Sequence, residues 1–483
     1  MPESLVSQEA SGASMHVIIT PALPETSTTP SPPRLRHPTV AQREEQGRAA
    51  RERASRSAHA RWKPSADRLD PVALLESQTP ARLPELVPLR YGRMLASPFA
   101  FLRGSAIVMA HDLARTPNSG ITVQLCGDCH LSNFGVYASP ERALLFDLND
   151  FDETLPGPFE WDVKRLATSF VVAARSNDFS ARQSRRAAQV AVLSYRETMR
   201  RFAEMRELEL WYHRIEATQL LEMLDQIVSG RAAKMAKTDM AKARRKDSLQ
   251  ALDKLTTFVD GQRRFISDPP LLVPLSSGSH EERIREEFRT YRESLQDDRH
   301  DLLMRYRVAD IARKVVGVGS VGTRAYIILL LGRDANDPLL LQVKQANHSV
   351  LEPHLAPSRY ANQGQRVIAG QRLLQAASDI FLGWNRGSDG NDYYWRQLRD
   401  MKGSAEVSLL GPDGLQLYAA ICGGALARAH ARSGDRITIA AYMGKGEAFD
   451  EAITAFAERY ADQTERDHEA LAAAVKEGRI VAA

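Results

Sequence analysis

The sequence predicts a two-lobed α+β fold, a mainly helical lobe joined to a small antiparallel-sheet lobe, from three observations. Residues 121–125 alternate apolar and polar side chains, as a half-buried strand does, and lead into a polar loop, a hairpin and an acidic run. Residues 314–344 read as strand, Gly-rich turn, strand, turn and third strand. Around both stretches the apolar residues recur at helical spacing.

Length and composition set the frame. With 483 residues, 43% hydrophobic and 26% charged, the chain is an ordinary globular sequence with room for two or three domain-sized units or one large two-lobed one. No apolar run reaches the ~18 residues of a membrane span, and no basic segment followed by an apolar core marks a signal peptide. The expected compartment is the cytoplasm. Three cysteines, Cys126, Cys129 and Cys422, cannot form a disulfide framework and fit a reducing environment. The net charge of +4 is concentrated at the front: residues 1–63 carry +3 and the remaining body only +1. A body so close to neutral argues against a general nucleic-acid surface.

In chain order, residues 1 to about 40 are Ser-, Thr- and Pro-rich and predict a disordered tail. Residues 41–63 are Arg- and Ala-rich and predict a solvated helix, with order beginning near Pro64. Residues 64–304 form the helical catalytic lobe, 305–400 the small sheet lobe, and 401–483 helices that pack back on the catalytic lobe. Within the first lobe, Arg90, Arg93 and Arg103 lie upstream of the acidic site and either neutralise it or bind phosphate. Phe134–Ser139 and Ala143–Leu148 predict strands joined by a Pro-containing turn. A helix begins after Gly157, with Asp162 as a candidate cap, and another runs from Ser180 to about Arg214. Residues 215–260 read as helical throughout, with a basic stretch over residues 231–246. Further helices are expected at 281–310, 362–382, 415–432 and 448–476, and a strand at 393–398.

The densest chemistry lies in Gly127–Asn133 and Asp147–Glu153, read as a phosphoryl-transfer site. The predicted strand, loop and hairpin bring Asp128, Asn133 and Asp150 to one end of a small sheet, and three oxygen donors there suit a hard cation such as Mg²⁺. The spacing Gly317-x-Gly319-x-x-Gly322 serves dinucleotide-binding and kinase-type loops alike. A dinucleotide fingerprint opens a helix; here β-branched, aromatic and leucine residues follow, so the loop folds back between strands and can cover nucleotide phosphates. The third strand then delivers Lys344 as a phosphate ligand, with Glu352 as the available acid to fix it. Cys126-Gly-Asp-Cys-His130 is also literally the attachment pattern of c-type haem. It continues into a polar loop with no helix carrying an axial ligand, so semi-buried thiols are the better reading.

Gly127-Asp128-x-His130-x-x-Asn133 resembles the catalytic loop of the aminoglycoside phosphotransferase and choline kinase branch of the protein-kinase-like superfamily. The run from Asn149 to Asp162 is similar to that branch's metal-binding segment and following helix start, and the spacing of twelve from Asp150 to Asp162 selects Asp150 over Asp147. The resemblance implies ATP and Mg²⁺ as cofactors, and Asp128, His130 and Asn133 as the catalytic loop, with Asp128 as the base. It implies Asn133 and Asp150 as metal ligands, and Gly317, Gly319, Gly322 and Lys344 on the phosphates. The order departs from the pattern, because the glycine loop follows the catalytic loop. Residues 415–432 resemble the helix that precedes that loop, so a circular permutation cut there is expected. From about Arg90 the chain also closely resembles a bacterial family catalogued as domain of unknown function 2252.

The expected function is therefore ATP- and Mg²⁺-dependent phosphoryl transfer to a hydroxyl of an unidentified small molecule or protein. The alternatives are a nucleotide-binding regulator or AMP-transferring pseudokinase, and a nucleic-acid-binding protein using the basic tail.

Overall fold

The computed structural model describes residues 38–220, 222, 238, 248–275, 279–398 and 401–483. The predicted basic stretch at 231–246, apart from Thr238, and the Ser/Pro-rich segment up to residue 37 lie outside the described residues. The chain divides into residues 1–39 and Val40–Ala483, and every element below belongs to the second unit. Helices and small antiparallel sheets alternate, so the architecture is mixed α+β.

The largest sheet has six strands in the order β11-β12-β10-β9-β8-β7. These are β7 (Leu272–Pro274), β8 (Arg307–Lys314), β9 (Ala325–Leu331), β10 (Pro338–Ala346), β11 (Gly383–Arg386) and β12 (Asp392–Gln397). Every residue of β9, and all of β10 after Pro338, is buried, which is why these strands read as continuous apolar runs with no alternation. The sheet recruits β7 from before residue 305, where the sequence begins its sheet lobe. One face presents Tyr326, Ile328, Leu341, Val343 and Trp395 to helix α10 (Ser279–Arg292), where Tyr291 stacks on Trp395 with centroids 4.4 Å apart. The other face presents Ile327, Leu329 and Leu340 to α9 (Ser248–Leu255), through Ala251, Leu252 and Leu255. Side chains alternate across a strand, so Lys344 shares this second face with Leu340 and Gln342.

The expected helix over 215–260 is corrected at its end. Thr256–Val259 (β5) and Gln262–Phe265 (β6) form a hairpin around Asp260 and Gly261, whose φ values are +48° and +73°. An Asp-Gly pair with both φ positive is the preferred two-residue hairpin turn, and the β-branched run before it outweighs helical periodicity.

The helical body is built on α6 (Glu160–Ser176), buried from Glu160 to Ala174, with α7 (Ala181–Glu204), α13 (Pro412–Ser433) and α15 (Ala448–Lys476) around it. Ser180 starts α7 with a capping box to Gln183. Gly423 lets α13 meet α7 backbone to backbone, since a Cβ there would stand 2.1 Å from the Ala191 carbonyl.

Residues 40–53 form the expected helix, exposed at most positions, but it is docked on the body. Helix α1 (Val40–Arg53) packs on α14 (Arg436–Met443), and Arg51 and Arg56 donate to the carbonyls of Ala441, Tyr442 and Met443. Those carbonyls end a helix and lack intrahelical partners, so the arginines cap it. Trp62 packs edge-on against Tyr460, with centroids 4.8 Å apart.

Candidate functional site

Strand β1 (Thr122–Leu125) pairs with β4 (Leu155–Pro158) and delivers the loop that carries Asp128. Asp162 does not cap α6. Its carboxylate accepts the amides of Cys126 at 2.6 Å and Gly127 at 3.0 Å, with His430 Nε2 at 3.2 Å and Tyr195 Oη 2.9 Å from His430 Nδ1. Gly127 has φ +89°, and a Cβ there would stand 2.3 Å from the Glu153 carbonyl, so only glycine fits. The loop entrance is thereby fastened to both α6 and α13.

Inside the loop, Asn133 Nδ2 donates to the Asp128 carbonyl at 2.8 Å, and Asp128 Oδ1 accepts from Arg165 Nε at 2.6 Å. Burial pushes the Asp128 carboxyl above its ordinary range, against the opposing pull of Arg165 and Arg103. His130 Nε2 lies 3.7 Å from Asp128 Oδ2. Its Nδ1 is buried without a partner among the described residues. Burial, together with Arg103 and Arg165, holds the imidazole well below its usual pKa and therefore neutral. Cys126 and Cys129 are both free and buried, and burial helps raise both thiols.

Hairpin strands β2 (Phe134–Ala138) and β3 (Leu144–Leu148) lead into the acidic run. Asp147 is turned away from the loop: it is fully buried, 2.6 Å from Arg428 Nη2, and accepts the Leu148 and Ala376 amides. Asp150, Asp152 and Glu153 instead line one cavity with Asp128. Lys344 enters from β10 and its partner is Asp152, with Nζ 2.5 Å from Oδ2; Tyr394 Oη donates to Oδ1 at 2.5 Å and Ser320 Oγ to Oδ2 at 3.3 Å. Burial works against both charges of this pair, yet the mutual attraction wins, so Lys344 lies above and Asp152 below its ordinary pKa. Glu352 therefore does not fix the lysine; it pairs with His348 Nδ1 at 2.7 Å. Glu352 was the nearer acid along the chain, but the acidic loop, 192 residues away in sequence, is the nearer one in space. Glu153 is pushed up to about 7 by burial, against the Val350 amide and Arg366.

The glycine loop joins β8 to β9 as expected. Gly317 and Gly322 have φ of +66° and +91°, and at Gly319 a Cβ would stand 3.0 Å from the Arg103 carbonyl. The loop is tied to the helical body. Arg82 Nη1 donates to the Gly319 and Val321 carbonyls at 2.9 and 2.5 Å, Leu83 N to Gly322 O at 2.7 Å, and Arg93 Nη1 to Gly317 O at 2.6 Å. Arg90 instead braces Gln78 and the Gly104 carbonyl. The cavity left between loop and carboxylates is about 100 Å³.

A second cavity of about 340 Å³ opens beside Asn149, with Arg396 and half-buried Lys402 in its wall. Among the described residues none of its lining side chains has a buried polar atom without a partner, whereas Arg82 and Arg103 on the first cavity do.

The structure thus brings Asp128, Asp150, Gly319 and Lys344's partner Asp152 around one space, whose lining does not include His130, Asn133, Gly317, Gly322, Lys344 or Glu352. Asp152, Arg165 and Arg82 are the residues that sequence reasoning missed. Asp152 stood in the named acidic run, and Arg165 stands one helical turn beyond Asp162, on the same face; Arg82 carried no signal. Among the described residues no three His, Cys, Asp or Glu side chains gather as a metal cage. Asn133 and Asp150 offer oxygen donors of the kind Mg²⁺ takes, but only Asp150 lines the cavity, while the Asn133 side-chain amide is bonded to the Asp128 carbonyl.

A family model described as "Uncharacterized protein conserved in bacteria (DUF2252)" matches residues 82–474. No curated protein and no solved structure matches the chain.

Proposed function

We propose that this chain, which belongs to the bacterial family DUF2252, binds MgATP between the Asp128 loop and the glycine loop and transfers the terminal phosphoryl group to a hydroxyl. The observation that carries this reading is the Lys344–Asp152 pair lying under Ser320 of the glycine loop, with Asp152 on a cavity also lined by Asp128 and Asp150. Lys344 and the glycine-loop amides would hold phosphate oxygens. Asp128, with its raised pKa, would take the acceptor's proton as its oxygen attacks phosphorus and ADP leaves. Asn133 and Asp150 would hold Mg²⁺, which neutralises phosphate charge when bound.

The kinase-like fold in permuted order belongs to the same proposal. Its support is that Ser433 Oγ, at the end of α13, accepts the Gln124 amide of β1 at 3.2 Å across 309 residues of sequence. The helix that should run into the catalytic loop thus abuts the strand that leads there.

Ligand cavities are usually about 300–1,000 Å³, so a cavity of about 100 Å³ must widen by lifting the glycine loop off Arg82 and Arg93. One observation favours a second reading, in which the nucleotide is held without phosphoryl transfer or its AMP is transferred. Asp128 already has an oxygen committed to Arg165. The nucleic-acid reading loses one support, because Arg51 and Arg56 are engaged with α14.

Thermal unfolding with and without millimolar MgATP tests the nucleotide site. A ligand at a hundred times its Kd stabilises by about 2.7 kcal/mol, roughly a 3 °C shift for a unit of this size. Product analysis separates the readings, ADP marking phosphoryl transfer and pyrophosphate marking AMP transfer. Asp128→Asn is expected to abolish turnover while keeping the MgATP shift. No shift for the wild type, or full turnover in the variant, refutes the proposal.

A further inference from the structure

Among the described residues several interior arginines, Arg90 and Arg428 included, carry a buried nitrogen without a partner, but of these only Arg82 and Arg103 line the cavity. Arg165, Arg196 and Arg428 each hold a carboxylate at 2.6–2.9 Å. Arg82 and Arg103 form no ion pair among the described residues, although both line the cavity that contains Asp128 and Asp150 and each has a buried Nε without a partner. A buried arginine nitrogen left unbonded is costly, so this arrangement is out of balance unless something accepts from it.

The charges around the cavity are only partly paired. Asp152 is neutralised by Lys344 and Asp128 by Arg165. Arg82 and Arg103 hold no carboxylate by a hydrogen bond among the described residues; they share the cavity with Asp150 and Glu153, whose fields act on Arg103 and Arg82 respectively. The carboxylates acting on Arg103 are Asp128 and Asp150, the two groups that flank the transferred phosphoryl group in the reading above. Arg82 reaches the cavity through the glycine loop itself, since its Nη1 holds the Gly319 and Val321 carbonyls. The guanidinium of Arg103 sits 6.0 Å from the Phe99 ring centre, a cation–π contact that keeps the side chain directed. Two planar guanidinium forks reaching one small space match the oxygens of a phosphoryl group.

We propose that Arg82 and Arg103 form an oxyanion clamp for the terminal phosphoryl group of the nucleotide, which makes the site selective for a triphosphate over a diphosphate. This rests on the MgATP reading. The clamp explains why the glycine loop is held by arginines: an incoming phosphoryl group replaces the loop carbonyls as the acceptor for Arg82, so occupancy and loop release are coupled.

The test is calorimetric titration of the full-length protein with ATP, ADP and inorganic tripolyphosphate, each with Mg²⁺, for wild type, Arg103→Met and Arg103→Lys. Losing charge-assisted hydrogen bonds to one phosphoryl group is expected to weaken ATP and tripolyphosphate by roughly ten- to a hundredfold in Arg103→Met, leaving ADP within about twofold. Arg103→Lys keeps the charge without the fork and is expected to fall between; Arg82→Met repeats the comparison on a side chain from a different segment. Equal weakening of ATP and ADP, or no weakening, overturns the clamp while leaving the nucleotide reading intact. Arg103-dependent tripolyphosphate binding in a wild type that ignores ATP keeps the oxyanion site and sinks the nucleotide reading. A wild type that binds neither overturns both.

Discussion

Replacing Lys344 with methionine removes one buried charge and leaves its partner behind. The Lys344 side chain is 3% exposed and that of Asp152 28%, with Nζ and Oδ2 2.5 Å apart. Breaking a buried pair from one side costs about 3–5 kcal/mol, and the partial exposure of Asp152 sets the expectation at the lower end, about 3 kcal/mol. Unfolding entropy of about 2.1 cal/mol/K per residue makes this roughly a 3 °C fall in Tm for a unit as long as Val40–Ala483. The pH dependence gives the sign. In the wild type the folded pKa of Asp152 is depressed, so its contribution is present above the unfolded value and lost as pH falls through the folded one. The folded pKa of Lys344 is raised, so its contribution is complete below the unfolded value and lost only as pH rises through the higher folded one. Without Lys344 the strongest influence holding the Asp152 pKa down is gone, leaving burial against the Tyr394 hydroxyl and Arg396, and its pKa rises relative to the wild type. The variant's deficit is then largest at pH 8 and shrinks toward pH 5 as the carboxyl takes a proton. Adding Asp152→Asn removes the stranded charge and is expected to recover part of the loss. Thermal melts followed by circular dichroism at both pH values measure all of this. A single variant that melts with the wild type at pH 8, or a deficit that is the same at pH 5, refutes the account of a buried, mutually dependent pair.

Two further outcomes follow from the same geometry. Glu153 has its folded pKa raised from 4.5 to about 7 by burial, so its contribution is complete below pH 4.5 and is lost as pH rises through 7. The wild type should lose about 3 kcal/mol between these limits, and Glu153→Gln should flatten that slope in a Tm-against-pH series; an unchanged slope rejects the assignment. Asp162→Ala strands the amides of Cys126 and Gly127 at about 1–3 kcal/mol each. Hydrogen exchange at those two amides is expected to accelerate well beyond that of α6, and equal protection in the variant would show that the carboxylate does not fasten the loop.

Much of the fold was legible because it is local. Period-two alternation marked β1, the Pro-containing turn marked the β2–β3 hairpin, and glycines between β-branched runs marked the loop between β8 and β9. Each of these signals lies within one or two adjacent elements, where chain geometry alone relates residue to residue.

The tertiary structure decided which groups meet. Along the chain Glu352 was the available acid for Lys344, and only the passage of the acidic loop beneath β10 put Asp152 in its place. Residues 41–63 have the composition of a solvated helix, but the open carbonyls at the end of α14 take up their arginines. The face of the sheet that carries Lys344 is covered by α9, through Leu252 and Leu255. Burial strengthens electrostatics and penalises every unmatched charge, so the pairings that set the chemistry of this cavity depend on distances through space. By itself the sequence determined the elements, the loops and the residue types at the site; the partners of those residues were settled by packing between segments hundreds of residues apart.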